Sequence, residues 1–209
     1  MIDYLFPTKI YSTDLLKKEK NTYLSSLKKE ILRISEYDKE GQKWSQKNYY
    51  KGYTSYGSTK EGLDQLHQFS SSFLDLKQRI DKHVHLFAKE LDFNIPSKAL
   101  VISKLWINIM PNSVIHTGHI HPLSVISGTF YVDIPGKDGP ALKFEDPRFA
   151  MMMAVPPKKE RPKKDNLNFY NFIPTPGKLV LFESWLRHEV NQNTHSKPRI
   201  SVSFNYDWI

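Results

Sequence analysis

Three of the chain's eight histidines fall in one short stretch, His116-Thr117-Gly118-His119-Ile120-His121-Pro122. An apolar, β-branched and aromatic run, Leu123 to Val132, follows at once and reads as a strand. His119 and His121 stand two apart, and on an extended backbone such residues project to the same face. Two imidazoles on one face make half of a metal site. A further histidine, His188, lies far downstream, just beyond the strand-like run Lys178–Phe182. Past it, Arg199, Ser201 and Ser203 alternate to one face of a strand whose other face carries Ile200, Val202 and Phe204. A guanidinium on the polar face of a strand inside a barrel needs an anionic partner, because an unpaired buried charge is costly.

Stepping outward, the elements that must position these groups divide at about residue 99. Before it the chain reads as helical. Ser12 or Thr13 is a candidate N-cap for a helix beginning near Asp14, with Leu16, Tyr23, Leu27, Ile31 and Ile34 at helical spacing. Lys17, Lys18, Lys28 and Lys29 fall off that stripe and read as a solvated face. Residues 38 to 60 show no sustained period and read as a long loop, with room for a short strand. A second helix is signalled by Leu66, Phe69, Phe73, Leu76, Ile80, Val84, Phe87 and Leu91, and ends at Asn94 to Pro96. Its histidines, His67, His83 and His85, make no HExxH pattern and read as packing or surface residues.

From Ala99 onward the texture is that of strands: Leu100–Met110, Val125–Ile134, Ala141–Phe144, Phe149–Val155, Asn168–Ile173, Lys178–Phe182 and Arg199–Tyr206. Proline- and glycine-bearing turns separate them. Seven or eight short strands at this spacing predict a sandwich or jelly roll with the helices packed outside, an α+β chain that is mainly β. One proline-studded basic segment, Pro156 to Asn166, has nothing to bury and reads as a solvated excursion, or as a lid that draws in an anion.

The chain has 209 residues, no cysteine and a formal charge of +8. Without cysteine there are no disulfides, zinc thiolates, iron–sulfur clusters or thiol nucleophiles. A reducing cytoplasm fits. No run is apolar enough to cross a bilayer, no secretory signal opens the chain, and no membrane partner is expected. The positive charge admits a nucleic acid, an acidic protein or a small anion as partner, although no nucleic-acid-binding motif is visible.

Taken in order, these residues resemble a known family. His119-Ile120-His121-Pro122, Ser127-Gly128-Thr129-Phe130-Tyr131-Val132, Asp146-Pro147-Arg148, His188 and Arg199-Ile200-Ser201-Val202-Ser203-Phe204-Asn205 follow the pattern of the "putative 2OG-Fe(II) oxygenase" branch of the 2-oxoglutarate- and Fe(II)-dependent dioxygenases. The resemblance covers residues 104 to 206, with a fainter match at Leu5–Tyr11. It implies a single oxygenase domain over 1–209, with 1–98 mostly helical and 99–209 forming a double-stranded β-helix (jelly roll). It implies Fe(II), with 2-oxoglutarate and O2 as co-substrates, and hydroxylation of a substrate as 2-oxoglutarate is decarboxylated to succinate. It also assigns Arg199 and Ser201 to the far carboxylate of 2-oxoglutarate, a task for a guanidinium fork and not for an ammonium. Tyr131 and Asn108 are candidates to touch the same molecule, with packing the other role for Tyr131 and for Trp106.

The chain departs from the superfamily where the usual carboxylate ligand is replaced by His121. Either His119, His121 and His188 form an all-nitrogen triad, one charge unit more positive than usual, or a carboxylate such as Asp133 or Glu189 completes the set. His116, three residues before His119, does not share its face on a regular strand and reads as a supporting or surface residue. Two other readings stand beside this one: a cupin-like three-histidine dioxygenase without 2-oxoglutarate, and a non-catalytic basic binding module on the same scaffold. The substrate and any homo-oligomer are not legible.

Overall fold

The computed structural model describes residues 1–16 and 19–209, with the backbone alone for Ser97. Its order is β1 (Ile10–Asp14), α1 (Lys20–Tyr37), α2 (Lys39–Asn48), β2 (Tyr53–Thr54), α3 (Ser71–Glu90), β3 (Leu100–Met110), β4 (His116–His119), β5 (Ile126–Asp133), β6 (Leu142–Glu145), β7 (Phe169–Phe172), β8 (Lys178–Glu183), β9 (His188–Val190) and β10 (Arg199–Trp208). The strands form a six-stranded sheet, β1-β8-β5-β10-β3-β2, and a four-stranded sheet, β4-β9-β6-β7. Every pairing between the strands is antiparallel. Strands β3 to β10 thus make the four-on-four arrangement of a double-stranded β-helix, with β1 and β2 added at the edges of the larger sheet.

The alternation along β10 shows how the layers are sorted. Ile200, Val202, Phe204 and Tyr206 point outward and are buried with Leu27 and Ile31 of α1 and Phe73, Leu76, Ile80, Val84 and Phe87 of α3. Arg199, Ser201, Ser203 and Asn205 point inward, between the sheets. Burying each large apolar side chain under the helices is worth about 1.5–3 kcal/mol, so this outer core holds the larger sheet rigid while its inner face stays polar. Gly128 of β5 is needed for that packing, since a Cβ there would lie 2.6 Å from the Val180 carbonyl oxygen and 2.5 Å from the Phe204 ring. The second core, inside the β-helix, joins Met110, Tyr131, Val180 and Phe182 to Leu142, Phe144, Phe172 and Val190 of the smaller sheet.

Four local expectations are corrected. Ser12, Thr13 and Asp14 cap no helix; they pair with β8 as strand β1, and α1 starts at Lys20. The sheet edge offered by β8 outcompetes a weak cap. Lys17 and Lys18 lie outside the described residues, while Lys28 is not merely solvated, because its ammonium pairs with Asp133 at 2.5 Å. The second helix starts at Ser71 behind a Ser70 cap, with Leu66–Gln68 a separate short turn and Phe69 exposed. The run Phe149–Val155 is no strand; it is a short turn at Phe149–Met151 within an exposed excursion.

The supposed loop at 38–60 is in fact α2, β2 and a short turn at Ser55–Gly57. Its organising group is Asp38, fully buried. The carboxylate accepts from the Gly41 N–H at 2.7 Å, capping α2, from the Tyr53 hydroxyl at 2.7 Å, and from the Ser58 hydroxyl. No hydrophobic period announces such a knot, because polar bonds hold it together. Replacing Asp38 by Ala should strand two buried hydroxyls and a helix N-terminus, and lower stability by about 2–4 kcal/mol, as read by urea unfolding.

Candidate metal centre

At one end of the β-helix, β4 and β9 pair His119 with His188. The chain continues from His119 to His121, whose backbone N–H donates to the Ser184 carbonyl at 2.9 Å. One ligand-capable atom from each of His119, His121 and His188 lies within 4.8 Å of the others. Their ring centroids are 4.4 to 5.1 Å apart. His188, far downstream, therefore does converge with His119 and His121.

Their hydrogen bonds set the tautomers. Nδ1 of His119 lies 2.7 Å from the Thr117 carbonyl oxygen, and Nδ1 of His188 lies 2.8 Å from that of Leu186. A carbonyl only accepts, so each Nδ1 carries the proton and each Nε2 keeps its lone pair, as a metal ligand requires. Phe182 and Phe144 back the His188 ring, with centroids at 4.6 and 6.1 Å, and Trp106 backs His121 at 6.0 Å. Burial depresses all these imidazoles: His121 is pushed down to about 4, His188 well below its ordinary value, and His119 lowered. Repulsion from neighbouring imidazoles adds to burial for His121 and His188. Neutral imidazole is the form that binds a metal.

Both carboxylates considered as a third ligand are engaged elsewhere. Asp133 pairs with Lys28 of α1, and Glu189 pairs with Lys143 at 2.8 Å. Among the described residues the cluster is three histidines without an acid.

Along the inner face of the larger sheet, β10 pairs Arg199 with Met110 and Ser201 with both Asn108 and Tyr131. Arg199 is 4% exposed. Its guanidinium stacks over the Tyr131 ring at 5.0 Å, and Nη1 donates to the Ser201 hydroxyl at 3.1 Å. Nε has no partner, and no carboxylate pairs with Arg199 among the described residues. The buried Tyr131 hydroxyl and Asn108 Oδ1 are likewise unpartnered, although Asn108 also donates to Ser203 at 3.1 Å. Burial raises the Tyr131 hydroxyl to about 12, against the pull of Arg199, so it stays a donor at neutral pH. A buried cation beside a buried hydroxyl, both short of partners, fits an anionic ligand with at least one carboxylate.

Tyr49 was missed, and His116, expected as a supporting or surface residue off the face of His119, lies against it. β4 matches His116 with Val190 and His119 with His188, so three steps on β4 answer two on β9. This bulge turns His116 to the same side as His119, and the rings stack at 4.6 Å. A Cβ at Gly118 would meet only the far end of the half-exposed Arg187 side chain, 2.7 Å from its Nη2. Tyr49, at the end of α2, packs 5.2 Å from His116. Only the three-residue spacing and the intervening glycine hinted at the bulge, and nothing in the sequence pointed to Tyr49.

No curated protein matches the sequence. Among solved structures, the chain is similar to the non-heme alpha ketoglutarate dependent epimerase SnoN from nogalamycin biosynthesis, with 14% identity, 96% of this chain and 76% of that chain covered, and a TM-score of 0.66. It is similar to HygX from Streptomyces hygroscopicus, solved with nickel and 2-oxoglutarate bound, at 10% identity, 96% and 83% coverage, and a TM-score of 0.63. A Pseudomonas putida prolyl-4-hydroxylase gives 12% identity, 97% and 94% coverage, and a TM-score of 0.59. At such identities the likeness establishes the double-stranded β-helix alone. The sequence itself goes further: residues 104–205, from within β3 to within β10, match the family model described as "Putative 2OG-Fe(II) oxygenase", so the β-helix core is similar in sequence to the 2-oxoglutarate- and Fe(II)-dependent oxygenases.

Proposed function

We propose that His119, His121 and His188 hold Fe(II) as an all-nitrogen facial triad, and that Arg199 and Ser201 hold the far carboxylate of 2-oxoglutarate, with Tyr131 and Asn108 lining the same chamber. One observation carries the reading: Arg199 is buried inside the β-helix with a free Nε and, among the described residues, no carboxylate to answer its charge. A cupin-like dioxygenase without 2-oxoglutarate has no use for that cation. When bound, the iron, 2-oxoglutarate and O2 supply the oxidising chemistry, in which the co-substrate is decarboxylated to succinate and a substrate is hydroxylated.

The chain's own contribution is positional. The carbonyls of Thr117 and Leu186 fix two imidazole rings in the ligating tautomer. Ser201 and the Tyr131 ring hold the guanidinium in one orientation. Phe144, Phe182 and Trp106 exclude water behind the histidines. The whole described chain then reads as one oxygenase domain, and its lack of cysteine suits the cytoplasm. No helix is long and apolar enough to cross a membrane.

We favour a small organic anion as substrate. With no carboxylate in the triad, the centre keeps a charge that the usual ligand set would cancel. The excursion between β6 and β7 starts beside it: Glu145 N–H donates to the Arg187 carbonyl at 3.0 Å, one residue before His188, and Asp146 N–H to the Asn168 carbonyl at 2.9 Å. That excursion exposes Lys158, Lys159, Arg161, Lys163 and Lys164. SnoN and HygX were solved with nogalamycin RO and hygromycin B, both small molecules. Such a field raises encounter rates for an anion and weakens with salt.

Anaerobic Fe(II) protein given 2-oxoglutarate should develop a visible charge-transfer band; if none forms, the cupin-like reading takes over. Arg199→Lys should weaken 2-oxoglutarate binding about tenfold and Arg199→Ala about a hundredfold, with metal binding intact. His121→Asp should retain the metal, whereas His119→Ala and His188→Ala lose it, as measured by Co(II) titration. Because burial lowers the histidines' pKa values, the metal-binding form persists below the ordinary imidazole range. Co(II) affinity should therefore persist to lower pH than three unperturbed histidines allow, which would lose affinity from about pH 6.5 downward. Reversing Lys158, Lys159, Lys163 and Lys164 to Glu should lower kcat/KM for the substrate about tenfold at low salt, leaving the affinity for 2-oxoglutarate unchanged.

A further inference from the structure

The barrel's own residues leave Tyr49 and His116 without a task. Both rings are held firmly. Tyr49 is 7% exposed and packed in the inner core with Met110, Val114 and Tyr131. His116 lies between Tyr49 and His119, stacked on the latter at an interplanar angle of 24°. His119 and His188 each anchor a ring nitrogen on a backbone carbonyl, but among the described residues neither the His116 ring nitrogens nor the Tyr49 hydroxyl has such an anchor.

If these rings served packing alone, a phenyl or a leucine would fill the space without bringing polar atoms to be desolvated. A hydroxyl and an imidazole edge free of protein partners are instead suited to a ligand. Arg199 Nε and the hydroxyl of Tyr131, a member of the same inner core as Tyr49, are unpartnered as well. Tyr49 also comes from α2, outside the β-helix and clamped by Asp38.

We propose that His116 and Tyr49 are co-substrate-binding residues, so that α2 forms a wall of the chamber and hydrogen-bonds the 2-oxo dicarboxylate between the metal and Arg199. This rests on the reading of the centre given above. It makes the N-terminal part of the chain a component of the site. It also predicts that the ring of Tyr49 limits the length of the 2-oxo acid the chamber accepts.

The test titrates anaerobic Fe(II)-loaded protein with 2-oxoglutarate and with 2-oxoadipate by calorimetry, while Co(II) alone reports metal affinity and thermal melting reports folding. His116→Phe should weaken 2-oxoglutarate about tenfold and Tyr49→Phe about threefold or more, with Co(II) affinity nearly unchanged. His116→Asn, which keeps a donor, should recover part of the loss. Tyr49→Ala should shift preference toward 2-oxoadipate. If wild type fails to bind 2-oxoglutarate, the reading of the centre itself falls. If wild type binds, Arg199→Ala does not, and His116→Phe and Tyr49→Phe match wild type, only the present proposal falls. Parallel loss of Co(II) and 2-oxoglutarate in His116→Phe would also overturn it, because His116 would then merely buttress His119.

Discussion

A positive charge has been taken inside a β-helix and left incompletely answered. Arg199 sits among Tyr131, Ser201, Asn108 and Met110, where a guanidinium without a counter-charge loses its hydration and regains only part of it from one hydroxyl and one ring face. A fold tolerates that arrangement when its neighbours hold the group rigidly and a ligand completes it. The double core does the holding. Ile200, Val202 and Phe204 are locked under α1 and α3, so the alternate residues of β10 cannot turn away from the interior.

The same logic governs the metal end. His119 and His188 are cross-strand partners, and each ring is fixed by a carbonyl two residues earlier in the chain. His121 joins them through a backbone bond to Ser184, itself buried in a hydroxyl and amide network with Ser127 and Asn205. That network ties the loop carrying His121 and the turn leading to His188 to the rigid larger sheet. The centre is thus assembled from two loops and two sheets, and its precision derives from the sheets.

Replacing the usual carboxylate by His121 changes charge more than shape. The nearest sequence candidates for a compensating acid, Asp133 and Glu189, are paired with lysines away from the cluster. On the proposed all-histidine triad, a bound divalent metal would keep a charge that the usual carboxylate cancels, close to Arg187 and to the base of a lysine-rich excursion. An anionic substrate would relieve it, and a neutral one would not.

Much of this could be read from residue order. Alternation in β10 and the two-residue spacing of His119 and His121 specify which side chains share a face, because strand periodicity is a local property, and the ordered motifs from residue 104 onward pointed to the β-helix. What local chemistry could not decide was competition. Ser12 and Thr13 look like caps until the edge of β8 recruits them as a strand, and Phe149–Val155 looks like a strand but finds no sheet edge to join. His116 appears to face away until a bulge, visible only once β4 is paired with β9, turns it inward. Residues 38–60 carry no apolar period because Asp38 organises them through bonds to groups up to twenty residues distant. The chain alone thus determined which groups are available and which faces they take on each strand. Which elements pair, and hence that Tyr49 at the end of a helix meets His116 of a strand beside His119, was decided by tertiary packing, since partner choice depends on contacts between segments far apart in sequence.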